Sequence, residues 1–226
     1  MPFQLYNSLF PPLSGEHEAR LSPERATIRV TVRAEGPERA TVVDHVLRLT
    51  EPVRSSIVGR VDAGTALDWS STRLSVRAER PWNAEGKRLA PVYYASIDVT
   101  ATFAEASELS LWISDISAWD GVEIGWVDWH LTPETRVRVE REVAAQAIGV
   151  AVTRAEAYAA ALGLAQVTPV EIADTGLLSS TTPAPGAPLG KARGAVAFAA
   201  DAAPAMEYEP QDIVLTATVE ARFLAR

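Results

Sequence analysis

The residues best suited to acid–base or metal chemistry are His17, His45 and His130, the three histidines of the chain. They fall in separate segments without HxH, HxxxH or HExxH spacing, so no single helix or strand face presents two imidazoles to one ion. Two carboxylate pairs, Asp115 with Asp120 and Glu123 with Asp128, have the composition that glycoside hydrolysis needs. Asp115, Asp120 or Asp128 acting with His130 is the one acid–base set on offer, and it requires these groups in a single cleft. With 29 acidic side chains in the chain, the simpler reading is solvated acids on loops and a strand face. No GxSxG, SxxK, Walker or GxGxxG pattern occurs. The absence of cysteine removes thiolate nucleophiles, disulfides and Cys-based zinc or iron–sulfur sites. No catalytic residue, metal ligand or cofactor is therefore expected.

The aromatic residues are more informative. Trp112, Trp119, Trp126 and Trp129 fall within 18 residues, closer together than an isolated core requires. In one reading they form the core and cap of a sheet. In the other, some of them make an exposed surface for self-association, or wall an apolar pocket together with Tyr93. Trp69 and Trp82 flank the segment around Leu74 and fit either arrangement.

The elements that must position these groups follow from periodicity. Ile28, Val30, Val32 and Ala34 alternate with Thr27, Arg29, Thr31 and Arg33, which predicts a half-buried strand over 27–34. After Gly36-Pro37 a helix is expected to turn Ala40, Val43, Leu47 and Thr50 toward the sheet, with Pro52 kinking or interrupting it before it resumes through Ile57 to Gly59. Alternations around Leu74–Ala78 and Ala95–Phe103 suggest a β-hairpin with a loose loop. A short helix over 107–117 follows. A strand from Val122 to Leu131 then breaks its alternation near Gly125, where a bulge fits. Thr132-Pro133 opens a long helix ending at Gly163, with the stripe Ala144, Ala147, Ile148, Ala151, Ala155, Tyr158, Ala159 and Leu162. A strand over 168–174 and a long final strand over 213–223 complete the pattern. The Ala-, Pro- and Gly-rich stretch 175–207 reads as a mobile loop, and residues 1–19 as an N-terminal extension. Arg29, Arg33, Arg73 and Arg77 recur on polar strand sides. Acids such as Glu79 and Asp98 are expected to interleave with them.

Charge and hydropathy narrow the function classes. A formal charge of −8 disfavours nucleic acid as a partner. No apolar run approaches the roughly 20 residues of a membrane-spanning helix. The first residues lack a basic n-region, and Gln4, Asn7 and Pro11-Pro12 interrupt any apolar one, so a cytoplasmic location is expected.

Three stretches carry a resemblance: LSPERATIRVTVRAEG, AAQAIGVAVTRAEAYAAALGL and EPQDIVLTATVEARFLA. Together they resemble the SIMPL-domain family over about residues 20–224, with Glu24 standing where the family's opening pattern has Asp. The resemblance implies an α+β fold, with antiparallel sheets and packed helices in two interlocked subdomains. It also implies oligomerisation, and it brings no catalytic residue. The expected function is a non-enzymatic, oligomer-forming scaffold or interaction protein, its contacts being further copies of itself or another protein. The alternative is a protein that binds a small apolar ligand in a pocket walled by Trp112, Trp119, Trp126 and Tyr93.

Overall fold

The computed structural model describes residues 8–9, 11–178 and 209–226. In chain order the elements are β1 (Ser8–Leu9), β2 (Leu13–Leu21), β3 (Arg25–Gly36), α1 (Arg39–Asp62), β4 (Asp68–Ser71), β5 (Ser75–Glu79), β6 (Val92–Phe103), α2 (Ala106–Ile116), β7 (Val122–His130), α3 (Pro133–Ala161), β8 (Val167–Asp174) and β9 (Ile213–Ala225). The fold is α+β with antiparallel sheets. The chain divides into two compact units, one holding residues 22–132 and the other drawing on both chain ends and on the segment that begins with α3.

In the first unit, five strands pair antiparallel in the order β4-β6-β3-β7, with β5 also on β6. Alternation explains the layering. Ala26, Ile28, Val30, Val32 and Ala34 of β3 are buried, as are Ala95, Ile97, Val99, Ala101 and Phe103 of β6. Val42, Val46, Val53 and Ile57 of α1 and Leu109, Trp112, Ile113 and Ile116 of α2 complete this core. Full burial of each such aliphatic side chain is worth about 1.5–3 kcal/mol. Polar links tie the two helices together: Trp112 Nε1 donates to Ser56 Oγ at 2.9 Å, and Arg60 meets Asp115 at 2.6 Å and Glu108 at 3.6 Å. The β5–β6 hairpin forms as expected, and short β4, with Trp69 against the core, is an additional strand.

Helix α1 departs from its expected form in two ways. It runs unbroken through Pro52 and Gly59 to Asp62, and its buried stripe is Val42, Val46, Thr50, Val53 and Ile57, leaving Leu47 49% exposed. The adjacent Val42 and Val43 leave the phase ambiguous, and only the 42-based set continues at helical spacing through Val53 and Ile57. Pro52 is tolerated because it and Arg48 are both exposed, so the carbonyl that loses its donor lies on the solvent side. The buried Thr50 hydroxyl is satisfied by donating to the Val46 carbonyl at 2.7 Å.

In the second unit β9 is the central strand. It pairs antiparallel with β2 from Leu21↔Ile213 to Leu13↔Ala221, with β1 beyond that, and with β8 on its other side. The long final strand thus pairs with one about two hundred residues earlier. Helix α3 opens at Pro133, and its buried stripe is Val139, Val143, Ala147, Ala151, Ala155 and Ala159. Tyr158 and Leu162, expected on that stripe, are 50% and 66% exposed, because the buried positions recur strictly every four residues. Ala151 and Ala155 pack with Ala221 and Phe223. A Cβ on Gly15 of β2 would run into the Ala147 carbonyl oxygen and stand 2.8 Å from the Ala151 nitrogen, so helix and strand meet backbone to backbone. The loop expected over 175–207 falls largely outside the described residues. Its first residues, 175–178, lie on β9: Thr175 donates to the Thr218 carbonyl, and Leu178 is held through its N–H by Glu220 and through its carbonyl by Arg222.

Candidate interaction site on the tryptophan-bearing strand

Strand β7 lies at one end of its sheet and, among the described residues, pairs with β3 alone. Its register with β3 slips by one residue: Ile28 faces Val127 and Val30 faces Ile124, so Gly125 and Trp126 together oppose Arg29. This is a β-bulge at the expected position. A Cβ on Gly125 would stand 2.6 Å from the Arg29 carbonyl oxygen, which explains the glycine. The bulge also resets the alternation. Val122 and Ile124 face the core before it, Val127 and Trp129 after it. Strict alternation would have buried Trp126; instead its side chain is 69% exposed.

The other aromatic candidates have different surroundings. Trp112 is fully buried on α2, its ring centroid 5.6 Å from that of Phe103. Trp119, Trp129 and Tyr93 are partly buried against the same core. The five therefore do not form one wall: Trp112 belongs to the interior, three residues sit at its margin, and Trp126 alone among them stands in solvent. The interior and surface readings of the cluster each apply to part of it.

On the polar side of the same sheet, charges are interleaved. Arg33 bonds Glu123 at 2.8 Å and Arg77 meets Glu79 at 3.1 Å, while the Arg77 guanidinium lies 5.0 Å over the Tyr94 ring. Asp98 accepts from the Thr31 hydroxyl at 2.8 Å. His130 Nε2 lies 3.0 Å from the Thr27 hydroxyl, which in turn contacts Thr102 at 2.9 Å. Asp115 is paired with Arg60 on the helices, and Asp128 lies opposite Thr27 on the strands. The structure thus places Asp115 on a different element from Asp128 and His130. Glu24 accepts from both the backbone N–H and the hydroxyl of Thr132 at 2.8 Å, a structural tether between the segment before β3 and the one after β7.

A concavity of about 620 Å³ opens at the end of the sheet, lined among others by Arg33, Glu35, His45, Arg77, Asp120 and Glu123. Its lining includes Tyr94 but neither Tyr93 nor any tryptophan. Its residues come from five elements and loops spread over some ninety positions, so no local sequence pattern announces it.

A family model described as SIMPL, a protein of unknown function (DUF541), matches residues 12–223. The chain belongs to the SIMPL family. The match spans nearly the whole sequence and takes in all of β2, of which the resemblance read from motifs had reached only the last residues. No curated protein matches this SIMPL chain.

Proposed function

We propose that this SIMPL protein is a non-enzymatic scaffold that assembles with further copies of itself through the outer edge of β7. The observation that carries the reading is Trp126, 69% exposed on an end strand by a bulge that turns it out of the core. Among the described residues no strand pairs with the outer edge of β7, and such an edge offers backbone donors and acceptors to a second chain. A large exposed indole beside it supplies the anchor residue that interfaces favour. Antiparallel pairing of β7 with the β7 of a second copy places the same patch on both sides, as a two-fold interface requires. The non-enzymatic part is supported by the engagement of the acid–base candidates elsewhere: Asp115 with Arg60, and His130 with Thr27 and the Leu131 carbonyl. The concavity is lined by none of Trp112, Trp119, Trp126 and Tyr93, so it gives no support to the tryptophan-walled pocket expected for an apolar ligand.

The test is Trp126→Glu followed by sedimentation velocity. A charge on this exposed position is expected to shift the protein to the monomer's coefficient while circular dichroism still shows a folded chain with a cooperative melt. An assembly that survives the substitution would remove β7 from the reading.

A further inference from the structure

Beyond β5 and β6 the hairpin continues as an arm, residues 80–91. Asn83 N–H donates to the Lys87 carbonyl at 2.9 Å, Leu89 N–H donates to Pro81 at 2.9 Å, and Trp82 and Arg88 form an antiparallel bridge pair. The Asn83 side chain closes the turn by accepting from the N–H groups of Glu85 and Lys87 at 3.1 and 2.8 Å, and Gly86 takes the left-handed backbone (φ 74°) that the turn requires. The arm is therefore an ordered element. From Arg77 to Ala90 every residue but Asn83 is exposed, so it is also a solvent-facing one.

Its side chains differ from those of the rest of the protein. Trp82 is 62% exposed and Leu89 48%, with the Arg88 guanidinium 4.9 Å over the Trp82 ring. Residues 80–91 carry three basic side chains (Arg80, Lys87, Arg88) against one acidic one (Glu85), a local charge of +2 in a chain of −8. We infer that this arm is a docking element for an anionic phospholipid surface.

Three considerations select that partner. Indole rings favour the headgroup region of a bilayer, where an amphipathic ring sits between apolar and wet surroundings. Basic side chains beside it gain from anionic headgroups. A fluid bilayer also accepts an exposed arm without the matched surface of about 800 Å² that a stable protein partner must supply. The acidic remainder of the chain does not oppose this contact strongly, because screening confines exposed charges to about 8 Å at physiological ionic strength.

The experiment is co-sedimentation of the full chain with vesicles of phosphatidylcholine alone and of phosphatidylcholine with equimolar phosphatidylglycerol. Binding is expected to the anionic vesicles only, and to be lost when salt is raised from about 0.1 M to about 1 M, which shortens screening from about 10 Å to about 3 Å. Trp82→Ala, and separately the double change Lys87→Glu with Arg88→Glu, are each expected to weaken binding about tenfold or more with thermal melting unchanged. Absence of sedimentation, equal sedimentation with neutral vesicles, or variants that bind like the parent would overturn the inference. So would binding to an acidic protein or an RNA in place of the vesicles.

Discussion

Trp112 and Trp126 place the same side chain in opposite environments, and the difference comes from what each must satisfy. Trp112 fills the space between α2 and the sheet, and its one polar atom finds Ser56 at 2.9 Å. Its replacement by Ala should cost about 3–5 kcal/mol, read by chemical denaturation, because a large buried ring leaves a cavity. Ser56→Ala leaves the indole N–H without its acceptor and should cost about 1–3 kcal/mol in the same measurement. Trp126→Ala leaves no cavity in the protomer core, so its cost in the same measurement should come from lost assembly alone and should therefore vary with protein concentration. The sequence showed that four tryptophans gather within a short stretch, but not how burial would be divided among them. The part that was legible was the broken alternation at Gly125, which marks the bulge and hence the outward turn of Trp126. The burial of Trp112 rested on helix phase, which the apolar residues around it leave open.

The contact of α3 with β2 and β9 shows why one strand was legible and its neighbour was not. β9 presents Val219, Ala221, Phe223 and Ala225 on one side, a plain alternating strand. β2 turns Leu13, Gly15, His17, Ala19 and Leu21 to the same side, since each pairs with an inward residue of β9. Its middle positions carry no strong apolar signal because the helix approaches too closely for large side chains at Gly15. A strand fitted this tightly to a helix looks polar in sequence. Gly15→Ala should therefore destabilise the protein by about 1–3 kcal/mol or more, since the added Cβ collides with helix backbone that has no rotamer to yield. A melting curve of that variant equal to the parent's would mean that helix and strand can separate at little cost. The opposite case is α1, where ample apolar residues made the helix evident but left its phase ambiguous between Val42 and Val43.

For the whole molecule, the fold class and family were legible because alternating strands, apolar helix stripes and motif order recur along most of the chain, and the family match covers residues 12–223. The candidate site was legible only in part, because the sheet-end concavity and the end position of β7 among the described strands arise from strand order, which local periodicity does not encode. The account combines an acidic body, a basic aromatic arm and an end strand bearing an exposed indole. Its central claim is assembly through that strand. Light scattering after size exclusion, over a range of concentrations of the parent protein and of Trp126→Ala, tests it most directly. A discrete parent oligomer whose mass holds on dilution, and a folded variant of monomer mass, is the predicted result. A parent that runs as a monomer at every concentration would contradict it.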